Sequence, residues 1–138
     1  MQKKSRNDNK IKKTINILTG QFDIKVQLNE TKTAKEFFEI LPISSNVNTW
    51  GDEIFFSIPL KADIENGIEE VEIGTIAFWP PGSALCIFFG KTPASRGNKP
   101  QAASPVTIIG NIINTEIIKE LIKVRSGERI YCKKDMTI

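Results

Sequence analysis

The stretch Glu72-Ile-Gly-Thr-Ile-Ala-Phe-Trp-Pro-Pro-Gly-Ser-Ala-Leu-Cys-Ile-Phe-Phe-Gly-Lys-Thr-Pro93 decides the fold of this chain. In its second half, Leu85, Ile87 and Phe89 alternate with Ala84, Cys86 and Phe88, and both sets are apolar. A strand built this way must be covered on both faces, which places it in the middle of a sheet. The first half is equally β-prone, and Pro80-Pro81-Gly82 between the two forces a turn, because proline cannot donate to a ladder.

Working outward, the flanking segments read mostly as strands. Ile15 and Ile17, then Phe22, Ile24, Val26 and Leu28, alternate with polar residues on either side of Thr19-Gly20-Gln21, so residues 14–28 form a β-hairpin. Residues 53–59 form another strand, with Ile54, Phe56 and Ile58 on one face and Glu53, Phe55 and Ser57 on the other. Asn66-Gly67 supplies a turn. Residues 90–104, rich in Gly, Pro, Asn, Ser and Lys, read as a long surface loop of the kind that often carries function. Strands return at 105–112 and 129–133. Two short helices interrupt the series. Ala34, Phe37, Phe38 and Leu41 recur at helical spacing, with Thr33 and Glu36 spaced as a capping box and Pro42 as the stop. Residues 115–124 place Ile117, Ile118, Leu121 and Val124 on one stripe after an Asn114-Thr115 cap. The expected architecture is mainly β, a closed eight-stranded barrel with two short capping helices.

The chain has 138 residues, 40% of them apolar, and a formal charge of +3, which suits one globular domain. The charge is uneven. Lys3, Lys4, Arg6, Lys10, Lys12 and Lys13 face Asp8 alone in the first 13 residues, so the remainder is slightly acidic. Residues 1–13 therefore read as a disordered basic tail, and residues 14–138 as the folded domain. A tail of this kind can touch nucleic acid or anionic lipid by counterion release. Without aromatics or apolar periodicity, a solubilising extension is the preferred reading. The folded domain itself lacks the basic face of a nucleic-acid binder. The longest apolar run, residues 84–89, is far too short to span a membrane, and no secretory signal is evident.

Histidine is absent, which removes Ser-His and Cys-His nucleophile systems and every His-ligated metal site. Cys86 and Cys132 are too few for a tetrahedral site, so no metal and no cofactor are expected. Reduced thiols fit a cytoplasmic protein. Adjacent carboxylates such as Asp52-Glu53 and Glu69-Glu70 point to opposite faces of a strand and make no acid/base pair.

Three segments together resemble a small prokaryotic family of cyclophilin-like fold. They are the run from Val47 to Phe56 (Val-Asn-Thr-Trp-Gly-Asp-Glu-Ile-Phe-Phe), the Glu72-to-Pro93 run quoted above, and the run from Ala103 to Gly110 (Ala-Ser-Pro-Val-Thr-Ile-Ile-Gly). The resemblance implies the eight-stranded barrel and no established activity. Kinship to the prolyl-isomerising cyclophilins implies a proline pocket with an arginine, a histidine and an aromatic floor. Residues 10–95 contain no arginine, Pro105 falls where the histidine is expected, and Cys86 lies near the floor. Phe78-Trp79-Pro80-Pro81 takes the place of the segment that pairs with bound peptide, and its prolines offer no N–H donors.

The candidate ligand-binding residues are Phe55, Trp79, Cys86, Phe88 and Arg96. Each has a plainer reading. Phe55 packs beneath a helix, the preferred expectation. Trp79 either walls a pocket or plugs the barrel. Arg96 clamps an anion or is a solvated loop charge, with the second preferred. Cys86 is a poor nucleophile without an activating base. Trp50-Gly51 reads as a structural corner. Two function classes stay open. The favoured one is an uncharacterised binding module for a small molecule or short peptide without prolyl isomerase activity. The alternative is a peptidyl-prolyl cis-trans isomerase. A homo-oligomer is compatible with the edge strands, although no interface can be read from them.

Overall fold

A computed structural model describes residues 13–135. The expected basic tail lies almost wholly outside these residues.

β1 (Thr14–Thr19) and β2 (Phe22–Leu28) form the expected hairpin, with Thr19 opposite Phe22 and Gly20 turning at φ +56°. α1 follows (Lys32–Glu39), then β3 (Ile43–Asn46), β4 (Asn48–Thr49), β5 (Glu53–Ser57), β6 (Ile68–Glu70), β7 (Thr75–Trp79), β8 (Ala84–Phe88), β9 (Gln101–Ile112) and β10 (Arg129–Lys134). A 3-10 turn at Pro80–Gly82 joins β7 to β8, and a longer 3-10 segment, Thr115–Lys123, precedes β10. The fold is mainly β, as expected.

The sheet runs β3-β10-β1-β2-β9-β7-β8-β5-β4, with β6 pairing β9 off this path. Among the described residues it is not closed by hydrogen bonds, which corrects the expectation of a closed eight-stranded barrel. The two edge strands, β3 and β4, are consecutive in the chain and separated only by Val47. Val47 donates its N–H to the Glu128 carbonyl (2.8 Å) and accepts from the Gly127 N–H (2.8 Å). Its backbone groups are thus spent on the approach to β10. The chain itself carries the sheet from one edge to the other, and β3 approaches β5 without forming a ladder.

The main core is filled from the inward positions of this curled sheet: Ile15, Ile17, Ile24 and Val26 from the hairpin, Ile54 and Phe56 from β5, Ile76 and Phe78 from β7, Leu85 and Ile87 from β8. Because side chains alternate, the opposite face of the same strands carries Phe55, Ala77, Cys86 and Phe88. With Val71, Ala102 and Val106 these make a second, smaller apolar cluster. β8 is buried at every position, as its two apolar faces require.

Three local details depart from the sequence expectation. α1 is capped by Thr31, whose side chain accepts from the Ala34 N–H (3.1 Å), and the Thr33/Glu36 box does not form. Instead Glu65, remote in sequence, accepts from the amides of Lys32 (3.0 Å) and Thr33 (3.1 Å), satisfying donors that a helix start leaves free. The expected second helix is 3-10, and its Asn114 does not cap it. That side chain is committed to β2, accepting from Lys25 N–H and donating to the Asp23 carbonyl, both at 2.9 Å. Finally, β9 begins at Gln101, inside the expected loop. Its first half pairs β6 through an irregular register, and Pro105 is tolerated there, where the ladder is already broken.

Candidate functional site

A tight turn between β4 and β5 positions the site. Trp50 N–H donates to the Glu53 carbonyl (2.9 Å) and Glu53 N–H to the Trp50 carbonyl (3.2 Å), so Trp50-Gly51-Asp52-Glu53 closes a two-residue hairpin turn between β4 and β5. Gly51 sits at φ +61°, and a Cβ there would lie 2.8 Å from Pro93 Cδ and 2.9 Å from Thr92 Cα. Only glycine fits so close a crossing. Paired residues flanking such a turn share a face, so Trp50 and Glu53 stand side by side. Phe55, two residues on, joins them.

Across the β5–β8 ladder, Phe55 is opposite Cys86 and Glu53 is opposite Phe88. Trp79, at the end of β7, is paired with Ala84. The far wall comes from the first half of β9, as Ala102, Ala103 and Val106. Together with Trp50, Glu53, Phe55, Trp79 and Cys86, these residues enclose a pocket of about 280 Å³. The two alanines leave the space, and the aromatic rings wall it. Trp79 is half-buried. Its ring lies against Gly82, where a Cβ would meet Cζ3 at 2.7 Å, and its Nε1–H donates to Ser104 Oγ on β9 (2.7 Å). One wall is therefore pinned to the other.

The pocket has one ionisable acid in its lining. Glu53 is 6% exposed, and among the described residues no Lys or Arg pairs with it. Burial pushes its carboxyl up to about 7, against a lowering hydrogen bond from the Cys86 thiol. The thiol is itself raised well above its ordinary value, by burial and by the neighbouring carboxylate. A thiol in that state is a poor nucleophile. Cys132, buried in the main core, is also a free thiol.

Among the residues singled out from sequence, the structure brings Phe55, Trp79 and Cys86 together in this lining. Phe55 packs against the second cluster, where every buried member comes from the sheet or from Val71 beside it, and not beneath a helix. Phe88 is fully buried in the same cluster, under the site rather than in its wall. Arg96 does not line the pocket. It is exposed in the loop after β8 and makes no hydrogen bond or ion pair among the described residues. That loop is organised instead by Thr92, whose hydroxyl donates to the Gln101 carbonyl (2.6 Å). Sequence reasoning missed Glu53, the Trp50 ring as a wall, and Ala102, Ala103 and Val106. A signal for Glu53 was present in the strand alternation that sets it on the face of Phe55.

A second, wider depression between α1 and the segment after β5 is lined by charged and polar side chains, including Lys32, Glu36, Lys61 and Asp63. Its Glu65 is already committed to the amides of α1. No group of His, Cys, Asp and Glu suited to a metal ion occurs among the described residues.

No curated protein matches the chain. A solved structure does: the solution structure of a hypothetical protein from Archaeoglobus fulgidus is 34% identical, with a TM-score of 0.75, over 91% of this chain and 96% of that one. The family model described as cyclophilin-like matches residues 13–133, nearly everything the structure describes, and the chain therefore belongs to the cyclophilin-like family.

Proposed function

We propose that this domain is a binding module that holds a small molecule, or one side chain of a short peptide, in the pocket between Trp50, Phe55 and Trp79, and that it does not isomerise prolyl bonds. The observation that carries the reading is the pocket itself, a preformed concavity of about 280 Å³ with aromatic walls and a single carboxyl group. Apolar walls with few polar groups are the usual make-up of small-ligand sites, and this volume is near the lower end of their range, so the ligand is compact.

The lining also argues against isomerase chemistry. Rotation about an amide bond meets a barrier of about 18–20 kcal/mol set by resonance. A guanidinium donating to the prolyl group is the cyclophilin means of lowering it, and among the described residues no arginine lines this pocket. The acid that stands there, Glu53, offers a carboxyl on the floor and no planar donor fork. Two free, buried cysteines are compatible with a reducing compartment, which supports a cytoplasmic location as part of this reading. No helix among the described residues is long and apolar enough to cross a membrane.

A fragment screen read by the indole N–H resonances of Trp50 and Trp79 tests the reading. Hits of any charge class that move both resonances are expected. Silence across neutral, cationic and anionic fragments overturns it. A protease-coupled assay on X-Pro peptides should show no acceleration over the uncatalysed rate, and turnover near that of a catalytic cyclophilin would reinstate the isomerase.

A further inference from the structure

We infer that the ligand this pocket takes is a small organic cation, its ammonium centre held against Glu53 among the rings of Trp50, Phe55 and Trp79. The inference rests on the pocket-binding reading above and names the ligand's chemical class. Three of the lining side chains are aromatic, and their π-faces attract a cation most strongly where water is excluded, as in the aromatic cages that bind quaternary ammonium groups. The carboxyl group between them is almost completely buried and has the Cys86 thiol as its only polar partner among the described residues. A buried carboxylate without a counter-charge is costly, and a ligand cation supplies the missing one. An anionic ligand would meet Glu53 and no compensating base, since among the described residues neither Lys nor Arg contributes to the lining. A neutral ligand would fill the walls but leave the acid as it is.

The surroundings of Glu53 make this charge preference readable through pH. From β8 the groups facing it are Cys86 and Phe88, from the β4–β5 turn Trp50, and from β9 Ala102, Ala103 and Val106. Only Cys86 among these can titrate, and it stays protonated throughout the neutral range. Asp52, the adjacent acid, packs against Gly90 instead.

Choline and its neutral isostere 3,3-dimethylbutan-1-ol, titrated into the full chain by calorimetry with the indole resonances as a second readout, separate the cases. Choline carries its charge at every pH, so any pH dependence belongs to the protein. At pH 8.5 choline should bind about tenfold or more tighter than the isostere. Its affinity should fall several-fold between pH 8.5 and 5.5 as Glu53 takes up its proton, while that of the isostere stays level. In Glu53→Gln the preference for choline should shrink to what the rings alone supply and lose its pH dependence, with isostere binding retained. Equal binding of the two probes, or choline binding indifferent to pH, overturns the cation assignment and leaves the pocket-binding reading intact. If neither probe binds, the cation assignment fails, and the outcome of the fragment screen decides whether the pocket reading fails with it.

Discussion

Replacing Glu53 by glutamine should make the domain more stable at alkaline pH and leave it little changed in acid. Glu53 has its carboxyl raised from 4.5 to about 7 because burial penalises the charged form. A raised acid binds its proton more tightly in the folded chain than in the unfolded one. Its contribution is therefore fully present below about pH 4.5, declines as pH rises, and is lost above about pH 7. The displacement corresponds to roughly 3 kcal/mol, at 1.36 kcal/mol for each pH unit. Glutamine keeps the shape and can still accept from the Cys86 thiol, but it has no proton to lose. The stability difference, variant minus wild type, should accordingly grow by roughly 3 kcal/mol between pH 4 and pH 8. Urea unfolding followed by far-ultraviolet circular dichroism measures it without relying on Trp50, whose ring adjoins the substitution. The difference also removes titrations the two proteins share, such as those of Glu65 and Glu120, whose carboxyls are lowered. Cys86→Ala offers an internal control. The thiol's hydrogen bond lowers the Glu53 value, so its loss should move the wild-type decline to higher pH. A difference that does not change with pH, or one that shrinks as pH rises, would refute the reasoning, because either means Glu53 has water or a cation beside it.

Trp79→Ala should cost about 1–2 kcal/mol, below the roughly 3–5 kcal/mol of a fully buried aromatic, because the ring is only half-buried; chemical denaturation measures it, and a loss in the higher range would make Trp79 a plug. Ser104→Ala, which removes the partner of the indole N–H, should cost about 1 kcal/mol and broaden the Trp79 indole resonance, whereas an unchanged resonance would mean the two walls are not tied. Glu65→Gln should lower the thermal midpoint at neutral pH, since the carboxylate holds the first amides of α1. The Glu65 carboxyl is lowered by those amides, so its support is present above about pH 4.5 and lost as pH falls; a midpoint deficit that persists unchanged in acid would contradict this.

The parts of the fold legible in the sequence are those where alternation is strong and the cover is symmetric. β8 is apolar at every position and lies between β7 and β5, and the hairpin of β1 and β2 announces itself through Gly20 and two alternating runs. β3, β4 and β6 carry few apolar residues, and all of β6 is exposed, so their pairing comes from neighbours rather than from their own composition. The start of β9 is hidden by Pro105 and by the polar company of Gln101 and Ser104, which reads as loop until β6 is seen to pair with Gln101 and Val106 on either side. Barrel closure is not legible in the sequence for a related reason. Strand number can be counted along a chain, but whether the last ladder forms depends on where a single residue, Val47, spends its N–H and C=O.

The site was legible in part. Phe55 and Trp79 drew notice as aromatics where a plain strand or turn does not require them, and Cys86 through its place in β8. Glu53 did not, because beside Asp52 it reads as one of a charged surface pair. Its burial follows from the Gly51-Asp52 turn, which sets Glu53 next to Trp50 and folds it onto the face of β8. Arg96 was attractive as the one guanidinium between Arg6 and Arg125, yet the loop that carries it is held by Thr92 and Ser95 and leaves it in solvent.

Glu53 places a carboxyl group under an apolar pocket that, among the described residues, no Lys or Arg lines. Titration of the Glu53 side-chain carboxyl carbon by nuclear magnetic resonance in the free chain of 138 residues tests that claim most directly. A midpoint near 7 is predicted, moving lower in the presence of choline. A midpoint near the ordinary 4.5 would contradict it, since it would place Glu53 in water or beside an opposite charge and leave the pocket without the group that gives it a preference.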